Sequence, residues 1–130
     1  MAKLHLRSYR VNELVFENKA EPDTKIHLEH KYSYQVAHKG GNACVGEMTL
    51  NINDKNNPDK FKIKVVLLGY FTVEGEMSKE QIHVTSFKDL FPYMRSYVTS
   101  ITVNSGMPPI IPPTIDIDGQ PVIRVDKDKE

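Results

Sequence analysis

Apolar and polar positions alternate from Lys25 to Ala37 of this 130-residue chain. Ile26, Leu28, Tyr32, Tyr34 and Val36 fall on one side, with His27, Glu29, Lys31, Ser33 and Gln35 on the other. A period of two predicts a half-buried antiparallel strand. The same period from Ala43 to Asn53 sets Cys44, Met48, Leu50 and Ile52 together. Lys39-Gly40-Gly41-Asn42 between them predicts a hairpin turn, because glycine reaches positive φ without strain. Leu4 to Glu17 predicts a first strand with imperfect phase. Leu4 and Leu6 share a parity, Tyr9 and Val11 take the other, and Leu14 and Phe16 return to the first. A slip of one residue turns every side chain over, so these shifts predict bulges or a bend. Asn18 to Thr24, with Pro22 and Asp23, reads as a short connection, and Asn53 to Asp59 as a polar loop.

Phe61 to Glu74 predicts a fourth strand. One face is Phe61, Ile63, Val65, Leu67, Gly69, Phe71 and Val73. The other begins with Lys62 and Lys64 and turns apolar at Val66, Leu68 and Tyr70. One small sheet with one helix cannot cover both faces, so apolar surface is left for a partner or for use. Gly75 to Thr85 reads as a loop or a short helical turn. Phe87, Leu90, Phe91, Met94, Val98 and Ile101 then recur at helical spacing. They predict a helix from about Ser86 or Asp89 to Ser105, with Asp89 as cap, Pro92 in the first turn and Gly106 as its stop. Tyr93 and Tyr97 widen the apolar arc. Met107-Pro108-Pro109-Ile110-Ile111-Pro112-Pro113 predicts extended chain that lays Ile110 and Ile111 on a surface. Thr114 to Asp118 reads as a segment that pairs briefly or packs, and Asp126 to Glu130 as a solvated tail.

The fold class expected is α+β, a four-stranded antiparallel sheet with a long helix packed on one face. It forms one domain over residues 1–130, with the sheet in 1–74, loop and helix in 75–106, and the proline-rich segment and tail in 107–130. Lys+Arg and Asp+Glu both total 17, which argues against a dedicated nucleic-acid binder. One cysteine excludes an internal disulfide and a thiolate zinc site. No apolar run suits a signal peptide or a membrane span, so a cytoplasmic protein is expected.

The search for chemistry is negative. His27 and His30 are three apart in a predicted strand and point to opposite faces, while His5, His38 and His83 lie in separate segments. No metal site and no cofactor is expected. Asp116 and Asp118 read as a solvent-facing edge rather than a catalytic pair, and Cys44 as a packed thiol. No catalytic residue and no enzyme activity is expected. Lys60-Phe61-Lys62-Ile63-Lys64 reads as a strand with a solvated basic face, or one that meets an acidic partner.

The order of elements resembles the SecB family of export chaperones. Four antiparallel strands precede Leu90-Phe91-Pro92-Tyr93 with Arg95, and a helix ending at Gly106 leads into proline-rich chain. Glu13 to Glu17 resembles the family's first-strand signature, and Phe61 to Val73, with Gly69-Tyr70-Phe71, its fourth strand. The likeness spans about residues 4–117. It implies an ATP-independent holdase for protein export, built as a dimer of dimers with helices between two sheets. The resemblance assigns client contact to Phe61, and Phe87, Phe91, Met94, Ile110 and Ile111 are expected to share it. It assigns the oligomer interface to Ile63, Val65 and Leu67, which Tyr93 and Tyr97 on the wide arc of the helix are expected to join. The implied partners are unfolded polypeptides, with a Sec translocase motor or an antitoxin beyond them. A toxin–antitoxin or mobile-element chaperone and a non-catalytic oligomeric adaptor are the alternatives. The chain departs from the family in a shorter connection between its first two strands. It also lacks the C-terminal helix and acidic tail, and carries Lys62 and Lys64 where export members are acidic.

Overall fold

A computed structural model describes residues 2–21 and 24–113. The four strands are β1 (Lys3–Asn18), β2 (Leu28–His38), β3 (Ala43–Asp54) and β4 (Phe61–Glu74), and the helix is α1 (Lys79–Asn104). All pairings are antiparallel, in the order β1-β4-β3-β2. The order follows from the connections. Two short loops make β2, β3 and β4 a meander, whereas β1 and β2, successive in the chain, lie at opposite edges of the sheet. Thr114 to Asp118 and the charged tail, for which sequence predicts packing and solvation, lie outside the described residues.

The phase shifts of the first strand are real irregularities. The β1–β4 register slips between Leu6 and Ser8 and again between Val11 and Glu13. Each slip restores the facing, so Leu4, Leu6, Tyr9, Val11, Leu14 and Phe16 all oppose the odd-numbered residues of β4. The bulges therefore keep an apparently broken pattern on one side of the sheet. The hairpin turn forms at Gly40 and Gly41, with φ of 89° and 59°.

Three expectations for the helix are corrected: its start, its cap and the place of Pro92. It begins at Lys79, not at Ser86 or Asp89. Ser78 caps it through a capping box. Its hydroxyl accepts from the Gln81 N–H at 3.1 Å, and the Ser78 N–H donates to Gln81 Oε1 at 2.9 Å. These bonds hold the first turns without a strong apolar stripe, which is why periodicity missed them. Pro92 consequently lies inside the helix rather than in its first turn. Asp89 is an interior residue, and burial raises its carboxyl pKa.

The C-terminal stop is as expected. Gly106 has φ of 93°, its N–H donates to Val103 O, and the Met107 N–H donates to Thr102 O. These two bonds make a Schellman motif. The proline-rich segment then turns back along the helix. Thr99 Oγ1 donates to Ile110 O, and the Ile110 N–H donates to Thr102 Oγ1, both at 2.9 Å.

The core lies between α1 and one face of the sheet. Met48, Leu50, Ile52, Phe61, Ile63, Val65, Leu67, Leu90, Met94 and Val98 are wholly buried there. Gly46 and Gly69 are cross-strand partners on that face. A Cβ on Gly69 would sit 3.0 Å from Leu90, and one on Gly46 would overlap the Tyr34 ring and hydroxyl. The missing side chains form a notch that admits the helix and Tyr34. Tyr34 donates to Ser86 Oγ at 2.5 Å, and Ser86 in turn donates to the His83 carbonyl. The buried hydroxyls are thereby paired, as their desolvation requires.

Candidate functional site

The structure moves most of the expected binding residues into the core. Ile63, Val65 and Leu67, assigned to an interface between protomers, are fully buried beneath the helix of the same chain. Phe61, Phe87, Phe91, Met94 and Ile110, assigned to client contact, are at most 7% exposed. The physical reason is that α1 lies over Phe61 to Phe71 of β4, while Phe87, Phe91, Met94 and Ile110 pack into the same core. A side chain with no accessible surface in one chain offers none to another. Ile111 is 63% exposed and Tyr93 43%, and Tyr97 is half-buried, so these three remain on the surface.

The surplus apolar surface lies instead along the margins of the helix. On the β1 side, Tyr9 and Tyr93 pack ring to ring at 4.6 Å, and Leu14 stands exposed on the same sheet face. On the β2 side, Leu28 and Ile111 are exposed. Tyr32 of β2 packs against Phe91 and donates to Pro113 O at 3.3 Å, which brings the segment holding Ile111 to this side. Tyr9, Leu14 and Leu28 were not singled out from sequence. Their signal was a facing shared with core residues at strand positions the helix is too narrow to cover.

The two sheet edges differ. β1 is bent by its two register shifts and carries Arg7 and Arg10. β2 pairs with β3 along its whole length without a shift. Which backbone groups β2 presents outward follows from its ends. Lys39 N–H donates to Ala43 O at 3.0 Å, and Lys55 N–H donates to His27 O at 2.6 Å. Ladder bonds alternate along an antiparallel pair, so the odd-numbered residues of β2 bond to β3. Leu28, His30, Tyr32, Val36 and His38 then aim their N–H and C=O groups out of the sheet. Among the described residues no strand pairs with this edge. Outward backbone groups beside Leu28, Tyr32 and Ile111 can accept an extended peptide by main-chain bonding and apolar contact.

Burial raises the Cys44 thiol pKa, which disfavours the thiolate, and the side chain packs in the core as expected. Burial pushes the Tyr32 hydroxyl up to about 12, partly offset by the Arg95 charge. Among the described residues no three His, Cys, Asp or Glu side chains cluster as metal ligands. No helix among them is long and apolar enough to cross a membrane.

No protein-family model matches the chain. A curated relative, an uncharacterized protein of Methanocaldococcus jannaschii, is 25% identical over 114 residues, covering 82% of this chain and 74% of its own length. Among solved structures, one similar chain is the Mycobacterium tuberculosis SecB-like chaperone in complex with a ChAD peptide from an antitoxin. It superposes with a TM-score of 0.72 at 18% identity, over 87% of this chain and 90% of its own. A Streptococcus agalactiae protein of unknown function superposes with a TM-score of 0.54 at 13% identity, over 88% and 99% of the two chains. With a four-stranded antiparallel sheet and one long helix among its described residues, the chain has the fold of a SecB-like chaperone.

Proposed function

We propose that this chain is a SecB-like, non-catalytic chaperone of the cytoplasm that holds extended, non-native polypeptide without ATP. The observation that carries the reading is the unpaired, unbulged edge of β2 beside the exposed Leu28 and Ile111. Such an edge bonds to main chain whatever the client sequence, and the apolar side chains supply adhesion. Many weak contacts of this kind sum to firm holding when one client spans several of them. A homo-oligomer, a tetramer by the SecB resemblance, would multiply the edges. We assign Tyr93 and Tyr97, joined by Tyr9 and Leu14, to its interface.

The reading is tested by light scattering from a chemically unfolded client diluted into stoichiometric amounts of the protein. The wild type is expected to suppress aggregation, and a Leu28→Asp/Ile111→Asp variant to lose most of that suppression at unchanged Tm. No suppression by the wild type, or equal suppression by the variant, would sink the proposal.

Between the routes such a chaperone could serve, the antitoxin route has a specific observation behind it. The SecB-like neighbour was solved with an antitoxin peptide bound. Service to a Sec translocase motor has less support, because β4 offers Lys62 and Lys64 on its outer face.

A further inference from the structure

The face of the sheet turned away from α1 carries a shallow depression of about 370 Å³. Val15, Lys31, Asn51, Asn53, Lys62 and Lys64 supply the side chains on that face. In the sheet register Val15, Lys64, Asn51 and Lys31 form one row across all four strands. The adjoining row is Glu17, Lys62, Asn53 and Glu29. The two asparagines thus sit among three lysines, and the carboxylates stand at the margins. Glu13 reaches Lys64 at 3.5 Å, with both side chains well exposed. A contact of that kind is weak and yields to a better-placed anion. Among the described residues Lys31 and Lys62 make no ion pair.

We propose that this depression docks an acidic polypeptide segment in extended form. Residues two apart on one strand are separated by roughly 7 Å, as are alternate side chains of an extended ligand. Carboxylates at alternate positions of the ligand therefore match Lys62 and Lys64 along β4. Lys31 meets the ligand from the side, and the amides of Asn51 and Asn53 donate between the charges. The chain has no net charge, so the attraction is local to this patch. The surface lies on the opposite side of the sheet from the helix and the apolar margins. It thus serves a second partner and does not depend on the chaperone reading.

The test is fluorescence anisotropy of a labelled peptide of about eight residues with alternating aspartate and serine, titrated with the full chain at about 50 mM NaCl. Saturable binding is expected, weakened more than tenfold at about 500 mM NaCl, where screening is several times shorter in range. An alternating asparagine–serine peptide is expected not to bind. A Lys31→Glu/Lys62→Glu variant, altered at two exposed positions, should lose affinity more than tenfold while its melting temperature and its suppression of client aggregation stay unchanged. Absence of saturable binding, equal binding of the neutral peptide, or undiminished affinity in the variant would each overturn the assignment.

Discussion

His30 faces the covered side of the sheet, where it pairs across β3 with Ile52. Its Nε2 is buried without a hydrogen-bond partner, and burial lowers its pKa from 6.5. The folded chain therefore binds this proton less readily than the unfolded chain. The contribution of neutral His30 is intact above about pH 6.5. It is lost as pH falls from there through the lowered folded value. Urea unfolding between about pH 7.5 and 5 should show stability falling on acidification, with a shallower slope in His30→Gln. Parallel slopes would contradict the assignment. The parity of His30 placed it with Leu28 and Tyr32, and that facing was the legible signal. Gly46 was less legible still, because a glycine that makes room for Tyr34 looks in sequence like any other glycine in a strand.

Element by element, legibility followed the strength of periodicity. The ends of β4 coincide with the stretch in which one face is apolar throughout, and both bulges of β1 fall where the alternation changes phase. The helix start was misread because a capping box, not an apolar stripe, defines it. Ser78-Lys79-Glu80-Gln81 carries that signature openly. Its C-terminal stop rests on conformation rather than on packing. A Cβ on Gly106 would meet nothing within 4 Å, yet φ there is 93°. Gly106→Val should therefore cost about 1–2 kcal/mol through backbone strain alone, as read by urea denaturation. An unchanged midpoint would mean that the Schellman turn has relaxed without loss.

For the whole molecule, sequence showed that apolar surface exceeds what one sheet and helix conceal, but not where the excess lies. Period and parity identify facings, while strand order and helix width decide which facings stay uncovered. The β1–β4–β3–β2 order puts β1 and β2, successive in the chain, at opposite edges, which local pattern does not encode. The helix consequently buries the residues expected at an interface and leaves Tyr9, Leu14 and Tyr93 beside it. If a second copy covers that margin, Leu14→Glu would place an unpaired charge in the contact. Sedimentation should then shift to smaller species with helical content retained. An unchanged profile would remove the β1 margin from the interface.

The strand order also sets a timetable for synthesis. Among the described residues β1 pairs only with β4, from Asn18 with Phe61 to Lys3 with Glu74. β2 and β3 can close their hairpin as soon as they are made. The N-terminal strand must wait until residue 74 has left the ribosome. During that interval the longest strand of the sheet has no ladder to join, and the newborn chain is itself an unpartnered extended segment.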